Sequence, residues 1–344
     1  MTGSNQKSAI LAESAHYDIP RRSTGLENES YPYCLSIVIP VYNGSKTIGK
    51  VVNYLSELDF GGKIEVILVD DGSKDNSAEI CTSLVERAGK ISVSFVKLSR
   101  NFSEHNAVMA GLNVACGAYV ITMDDDLQNP PSEVLKLYQH ALRSKKHVVY
   151  TFYVEKKHHW FRNLGSKFAN WTATVVLEKP KDLYLSSFRC MRAQLVKEII
   201  LYRGPFPYID GLIIQITNSI DSIQVNHVER GEGQSNYTIR RLMRLWTSIA
   251  LNFSTVPLRA ISSLGFFSSL ISLLFILDVV WEYFYSGVEV PGWFSLMTVV
   301  LFFSGTQMIM LGVVGEYIGR TYQTINRKPQ FVVDYILRKE DCHR

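Results

Sequence analysis

Apolar and polar positions alternate in blocks along the N-terminal part of the chain. Leu35–Val41, Ile64–Val69, Val93–Leu98 and Ala118–Met123 are short runs rich in β-branched residues, the pattern of buried strands. Between them, Ile48–Leu58, Ser77–Arg87 and Ala107–Ala115 carry apolar residues at helical spacing. Strands alternating with helices predict βαβ units, a parallel sheet, and ligand binding at the carboxyl ends of the strands. The strand runs end in polar groups: Tyr42-Asn43-Gly44, Asp70-Asp71-Gly72-Ser73, Ser99-Arg100-Asn101 and Asp124-Asp125-Asp126-Leu127-Gln128-Asn129.

Two later blocks have another character. Residues 258–285 and 292–318 are apolar stretches interrupted mainly by Asp278, Glu282 and Gln307. Each exceeds the roughly 20 residues needed to cross a bilayer, so two transmembrane helices are expected. The formal net charge of +4 hides an asymmetry. Arg240, Arg241, Arg244 and Arg259 precede the first block, and Arg320, Arg327 and Lys328 follow the second. The connector Glu282–Val290 has two Glu and no Lys or Arg, which places both ends of the pair in the cytoplasm.

Residues 240–257 place Leu242, Leu245, Trp246, Ile249, Ala250 and Phe253 at helical spacing behind arginines. An amphipathic helix in the membrane interface has this pattern, and so has one packed on a domain. Residues 1–33, rich in Ser, Glu and Asn, read as a flexible extension without a signal peptide. The five cysteines (Cys34, Cys81, Cys116, Cys190, Cys342) show no metal spacing and read as free thiols. The expected organisation is a cytoplasmic α/β domain over 34–239, the interfacial helix, two spans, and a cytoplasmic tail over 319–344. No nucleic-acid partner is expected.

The chemistry concentrates at Asp124-Asp125-Asp126. Period-2 geometry puts Asp124 and Asp126 on one side of an extended chain. Oxygen ligands suit Mg²⁺ or Mn²⁺, ions that complete their shell with water and substrate phosphates. A seat for a nucleotide diphosphate is one reading; a polar turn after a strand is the other.

Ile39-Pro40-Val41-Tyr42-Asn43, Val69-Asp70-Asp71-Gly72-Ser73, Asn101–Gly111 and Asp124–Pro130, in this order, resemble family 2 glycosyltransferases of the GT-A (Rossmann-like) fold. The likeness is greatest to the polyprenyl-phosphate glycosyltransferases and runs from about Leu35 to Arg338. Gly315-Glu316-Tyr317-Ile318-Gly319-Arg320 resembles an element of their bacterial members, although Glu316 and Arg320 also form a helical i,i+4 ion pair. The resemblance implies an inverting transfer from a nucleotide sugar, UDP-linked before GDP-linked, to undecaprenyl phosphate. The lipid-linked sugar would serve cell-envelope glycan or lipopolysaccharide modification at the inner membrane. It is compatible with a homo-oligomer, a tetramer included.

Carried over residue by residue, the resemblance makes Asp124, Asp126 and Gln128 the metal ligands, with Asp126 also catalytic. Asp125 stands where relatives often have Ala. Pro40, Tyr42, Asn43, Asp71, Asp124 and Asp125 are candidates for nucleotide-sugar binding; Asn43 stands where relatives have Glu. Arg230 and Ser235, in Arg230-Gly-Glu-Gly-Gln-Ser235-Asn-Tyr237, and Arg189 are candidates for phosphate binding. Asp182, in Asp182-Leu-Tyr-Leu-Ser-Ser187-Phe-Arg189, matches the family's third acid, a base or an acceptor-positioning group, in a segment one residue longer than its relatives'. The basic and aromatic stretch 150–171 is a candidate for acceptor or sugar preference. A processive polysaccharide synthase shares the N-terminal motifs, but the chain lacks Gln-x-x-Arg-Trp and further spans. An inactive lipid- or nucleotide-binding scaffold is opposed by the intact Asp124, Asp126 and Gln128.

Overall fold

The computed structural model describes residues 31–87, 89–153, 183–226, 256–286 and 292–338. Asp182, Arg230, Ser235, the expected extension over 1–30, the juxtamembrane stretch 240–255, most of the basic stretch 150–171 and Cys342 lie outside the described residues.

The strands are β1 (Tyr33–Val41), β2 (Ile64–Asp70), β3 (Ser92–Leu98), β4 (Gly117–Thr122), β5 (Val148–Phe152), β6 (Arg189–Arg192), β7 (Ile220–Gln224) and β8 (Val333–Arg338). The helices are α1 (Ile48–Glu57), α2 (Ser77–Arg87), α3 (Glu104–Val114), α4 (Pro131–Ser144), α5 (Ala193–Ile199), α6 (Ile209–Ile216), α7 (Val256–Ser286) and α8 (Trp293–Ile325). One sheet has the order β7-β5-β6-β4-β1-β2-β3-β8. β1 pairs in parallel with β2 and with β4, and β2 with β3. Their carboxyl ends therefore share one edge, as the alternating pattern predicts. β6 is antiparallel between β4 and β5, so the sheet is mixed.

Every residue of β2 is buried, because helices cover both faces of a parallel sheet. Ile37 and Leu68 join Val51 and Leu55 of α1 in the main core; Val38, one residue on, points to the other face. A Cβ on Gly111 of α3 would lie 2.3 Å from Val38 Cγ1, so glycine lets α3 seat directly on β1. Ile48, Val51, Val52 and Leu55 bury the apolar stripe of α1. Each fully buried Leu or Ile contributes about 1.5–3 kcal/mol. Glu65 is a buried acid at the sheet's other end. It accepts Ser36 Oγ at 2.6 Å and Cys116 N at 2.5 Å and so ties the α3–β4 turn to β1.

The chain forms two compact units. One contains the sheet and takes in the chain again from Pro329; the other contains α7 and α8 as far as Lys328. The tail thus differs from its expected form. α8 continues past residue 318 to Ile325, and β8 pairs antiparallel with β3, covering an edge that would otherwise expose unpaired backbone. Gln330 Nε2 donates to the carbonyls of Tyr202 and Gly204 at 3.3 and 2.8 Å, fixing the returning chain.

Among the described residues, Val299–Ile325 is long and apolar enough to cross a membrane, with a mean hydropathy of 1.6 and none of its most apolar window buried. α7 is a 31-residue helix whose apolar core, Ile261–Phe275, is shorter than a span. Cys34, Cys81, Cys116 and Cys190 are free thiols, as expected.

Candidate active site

The loops leaving β1, β2, β3 and β4 meet at the carboxyl edge of the sheet. Asp71 N donates to Val41 O at 2.9 Å and Met123 N to Val38 O at 3.2 Å, so the β1, β2 and β4 exits are joined by main chain. Asn43, in the left-handed region at φ 56, receives Lys74 N on Oδ1 at 2.9 Å and donates its own N to Ser73 Oγ at 3.0 Å. Its side chain braces two loops against each other. Tyr42 beside it is 47% exposed, leaving a ring face available for stacking.

Asp71 is buried, and its Oδ1 accepts Phe102 N at 2.6 Å. Burial pushes its carboxyl up to about 6 against the opposing pull of the Phe102 and Ser103 amides. The β2 and β3 exits also touch directly at Gly72. At φ 67, a Cβ there would come within 2.6 Å of the Arg100–Asn101 peptide.

Ser103 caps α3 at φ 83 and ψ 155, a conformation that only glycine adopts freely. Ser103→Gly is therefore expected to stabilise the protein by about 1 kcal/mol, the relieved strain less the added chain entropy. A thermal midpoint above that of the native chain checks it; an unchanged or lower midpoint denies the strain.

The acidic turn follows β4. Asp126 Oδ1 accepts Gln128 N at 3.1 Å, and Leu127 adopts φ 62, which closes the turn tightly. Asn129 is buried and accepts the Tyr153 hydroxyl at 3.0 Å. Asp124 Oδ2 accepts the Ser187 hydroxyl at 2.9 Å. The Asp125 carboxylate lies against Gly44, where a Cβ would fall 1.9 Å from Oδ2, and that buried oxygen has no hydrogen-bond partner. Burial, then the neighbouring Asp124 and Asp126 charges, push the Asp125 carboxyl up to about 7. Three carboxylates are thus crowded into one short turn. Hard carboxylate and carboxamide oxygens gathered in one turn fit a divalent cation. Among the described residues, no three His, Cys, Asp or Glu side chains converge to hold one alone.

The expected phosphate contact at Arg189 needs correction. Its guanidinium is 2% exposed and paired to Asp210 Oδ1, which also accepts the Tyr150 hydroxyl at 2.9 Å. Burial disfavours this cation, but Asp210 and then Tyr150 more than restore it. The reason is local: Arg189 begins β6, between β4 and β5, and its side chain runs into the core beneath α6. His105 packs edge-on to Tyr208 with ring centroids 5.2 Å apart. Burial drives its imidazole down to about 4 and Arg189 adds to this, while Asp210 opposes both. His105 is neutral at physiological pH.

Three participants escape the sequence patterns: Ser187, Tyr153 and Asp210. Asp210 has one sequence signal, a lone charge in the apolar run Ile209–Ile216. The expected Pro40, Tyr42, Asn43, Asp71, Asp124, Asp125, Asp126 and Gln128 all stand at one edge, on the exits of β1, β2 and β4.

The glycosyl transferase family 2 profile matches residues 36–203, and the GtrB C-terminal hairpin profile matches 256–321. The undecaprenyl-phosphate 4-deoxy-4-formamido-L-arabinose transferase of Edwardsiella ictaluri is 33% identical over 308 residues, covering 88% of this chain and 94% of that protein. Its namesake in Pseudomonas aeruginosa is 32% identical, covering 90% and 92%. Among solved structures, glucosyl-3-phosphoglycerate synthase from Mycobacterium tuberculosis, with Mn²⁺, UDP and phosphoglyceric acid, gives a TM-score of 0.47 at 17% identity over 64% of this chain and 77% of that one. TarS of S. aureus with UDP-GlcNAc gives 0.43 at 20% identity over 64% and 67%. With an α/β sheet that gathers the expected residues at one edge, and relatives alike over nearly their whole length, the chain belongs to glycosyl transferase family 2 and is a glycosyltransferase.

Proposed function

We propose that this enzyme transfers a sugar from a UDP-linked donor to undecaprenyl phosphate at the cytoplasmic face of a bacterial inner membrane, inverting the anomeric carbon. The observation that carries this reading is the presence, in one chain, of the hard-oxygen turn at Asp124–Gln128 and a long apolar helix with no buried face. The first suits a sugar nucleotide and the second a lipid acceptor. The names of the relatives, undecaprenyl-phosphate sugar transferases, support the lipid acceptor. α8 is a span, and α7, whose 31 residues exceed the length needed although its most apolar part is only Ile261–Phe275, is its partner, with the arginine-rich ends cytoplasmic.

Asp124, Asp126 and Gln128 would hold Mg²⁺ or Mn²⁺, which supplies neutralisation of the departing diphosphate. Asp71 and Asn43 fix the loops that shape the donor site, and Tyr42 stacks on the base. Arg230 and Ser235 bind phosphate, and Asp182 positions the acceptor. A phosphate monoester with a second pKa near about 6 is mostly dianionic at pH 7, so the nucleophile needs little help from a base. Holding it in line with the anomeric carbon is the main task left to the protein.

Calorimetry on the full chain with UDP, GDP and dTDP, each with and without Mn²⁺, tests the donor side. UDP should bind most tightly, and only with the cation present. Preference for GDP, or cation-independent binding, overturns the assignment of donor or metal respectively.

A further inference from the structure

Building on that reading of Asp124 as a cation ligand, we propose that Ser187 is a positioning residue for the cation: its hydroxyl fixes the Asp124 carboxylate in ligating orientation. The hydroxyl lies 2.9 Å from Asp124 Oδ2. Ser187 is itself held, since its carbonyl accepts Thr122 Oγ1 at 2.6 Å. Thr122 and Asp124 are two residues apart, so one side of the β4 exit grips Ser187 through both main chain and side chain. The next residue cannot shift either. Phe188 is fully buried, its carbonyl accepts Thr151 Oγ1 at 2.7 Å, and its N donates to Ser186 Oγ at 3.2 Å.

A donor fixed this firmly sets the direction of an oxygen on Asp124 before any cation arrives. The other end of the acidic turn is held in the same way, by the Tyr153 hydroxyl on Asn129. The turn is thereby fastened at both ends to residues that flank segment 154–182 in the chain. Hydrogen bonds of this kind on a ligating carboxylate typically contribute about 10–100-fold in metal affinity or activity.

The test is Mn²⁺ binding to the full-length protein in detergent with UDP present, read by the electron paramagnetic resonance of free Mn²⁺. Ser187→Ala should weaken Mn²⁺ binding about tenfold or more. Ser187→Thr, which keeps the hydroxyl, should restore it. In transfer, the Ala variant should need more Mn²⁺ for half-maximal rate while approaching the native rate at saturation, a split that mere loosening of the fold does not produce. Should the Ala variant fail to fold, Ser187→Cys preserves the volume with a weak donor and should show the same loss of affinity. Native-like Mn²⁺ affinity in either hydroxyl-free variant overturns the role of Ser187. Failure of the native chain to bind Mn²⁺ with UDP overturns the underlying cation site instead.

Discussion

Replacing Asp126 by Ala is expected to lower kcat/KM for sugar transfer at least about a thousandfold, about 4 kcal/mol of transition-state stabilisation. Asp126 lies in the turn that follows β4, its Oδ1 accepting Gln128 N. It neighbours the buried Asp125 carboxylate, whose Oδ2 has no hydrogen-bond partner. Removing a ligand from such a seat leaves the departing diphosphate without its counter-charge, while the helices and the sheet keep their packing. Transfer measured with labelled donor, alongside the fraction of protein in the membrane, separates these effects. Near-native transfer by Asp126→Ala would reduce the acidic segment to an ordinary polar turn.

The second large effect is on stability. Asp210→Ala should destabilise the sheet-bearing unit by about 3–5 kcal/mol, because it strands the Arg189 guanidinium in the core without its counter-ion. The Tyr150 hydroxyl loses its acceptor in the same step. Replacing both partners with apolar residues, Arg189→Met with Asp210→Leu, should cost much less than the single change. Chemical denaturation of the three proteins in detergent decides it. If Asp210→Ala unfolds at the native midpoint, Arg189 is not the internal cation that its burial indicates.

The four parallel strands are legible in the sequence because each is a continuous β-branched run between polar turns, and burial on both faces demands that composition. β6 gives no such signal: Arg189-Cys190-Met191-Arg192 is four residues with a charge at either end. It is a strand because β4 and β5 flank it. β8 alternates only weakly and follows two long helices, so a tail is the natural reading until its pairing with β3 is seen. The acidic turn is visible by composition alone, since Asp124, Asp126 and Gln128 lie within one short stretch. Arg189 misleads for the opposite reason, because an arginine near the site carries no mark of its partner 21 residues away. Ser187 is invisible in sequence, as its role is a single hydrogen bond across 63 residues. Unbroken apolar length, not periodicity, marks α7 and α8 in the sequence, and among the described residues only Val299–Ile325 of α8 is apolar enough over a span's length.

The central claim is transfer of a sugar to a lipid phosphate. Its most direct measurement uses the full-length protein in detergent with undecaprenyl phosphate, Mn²⁺ and a panel of labelled UDP-sugars that includes the UDP-linked 4-deoxy-4-formamido-L-arabinose. The account predicts an organic-soluble labelled product from one donor, with the anomeric configuration inverted relative to that donor and with no product in excess chelator. Label released only as water-soluble sugar, or a lipid product that retains the donor's configuration, would contradict it.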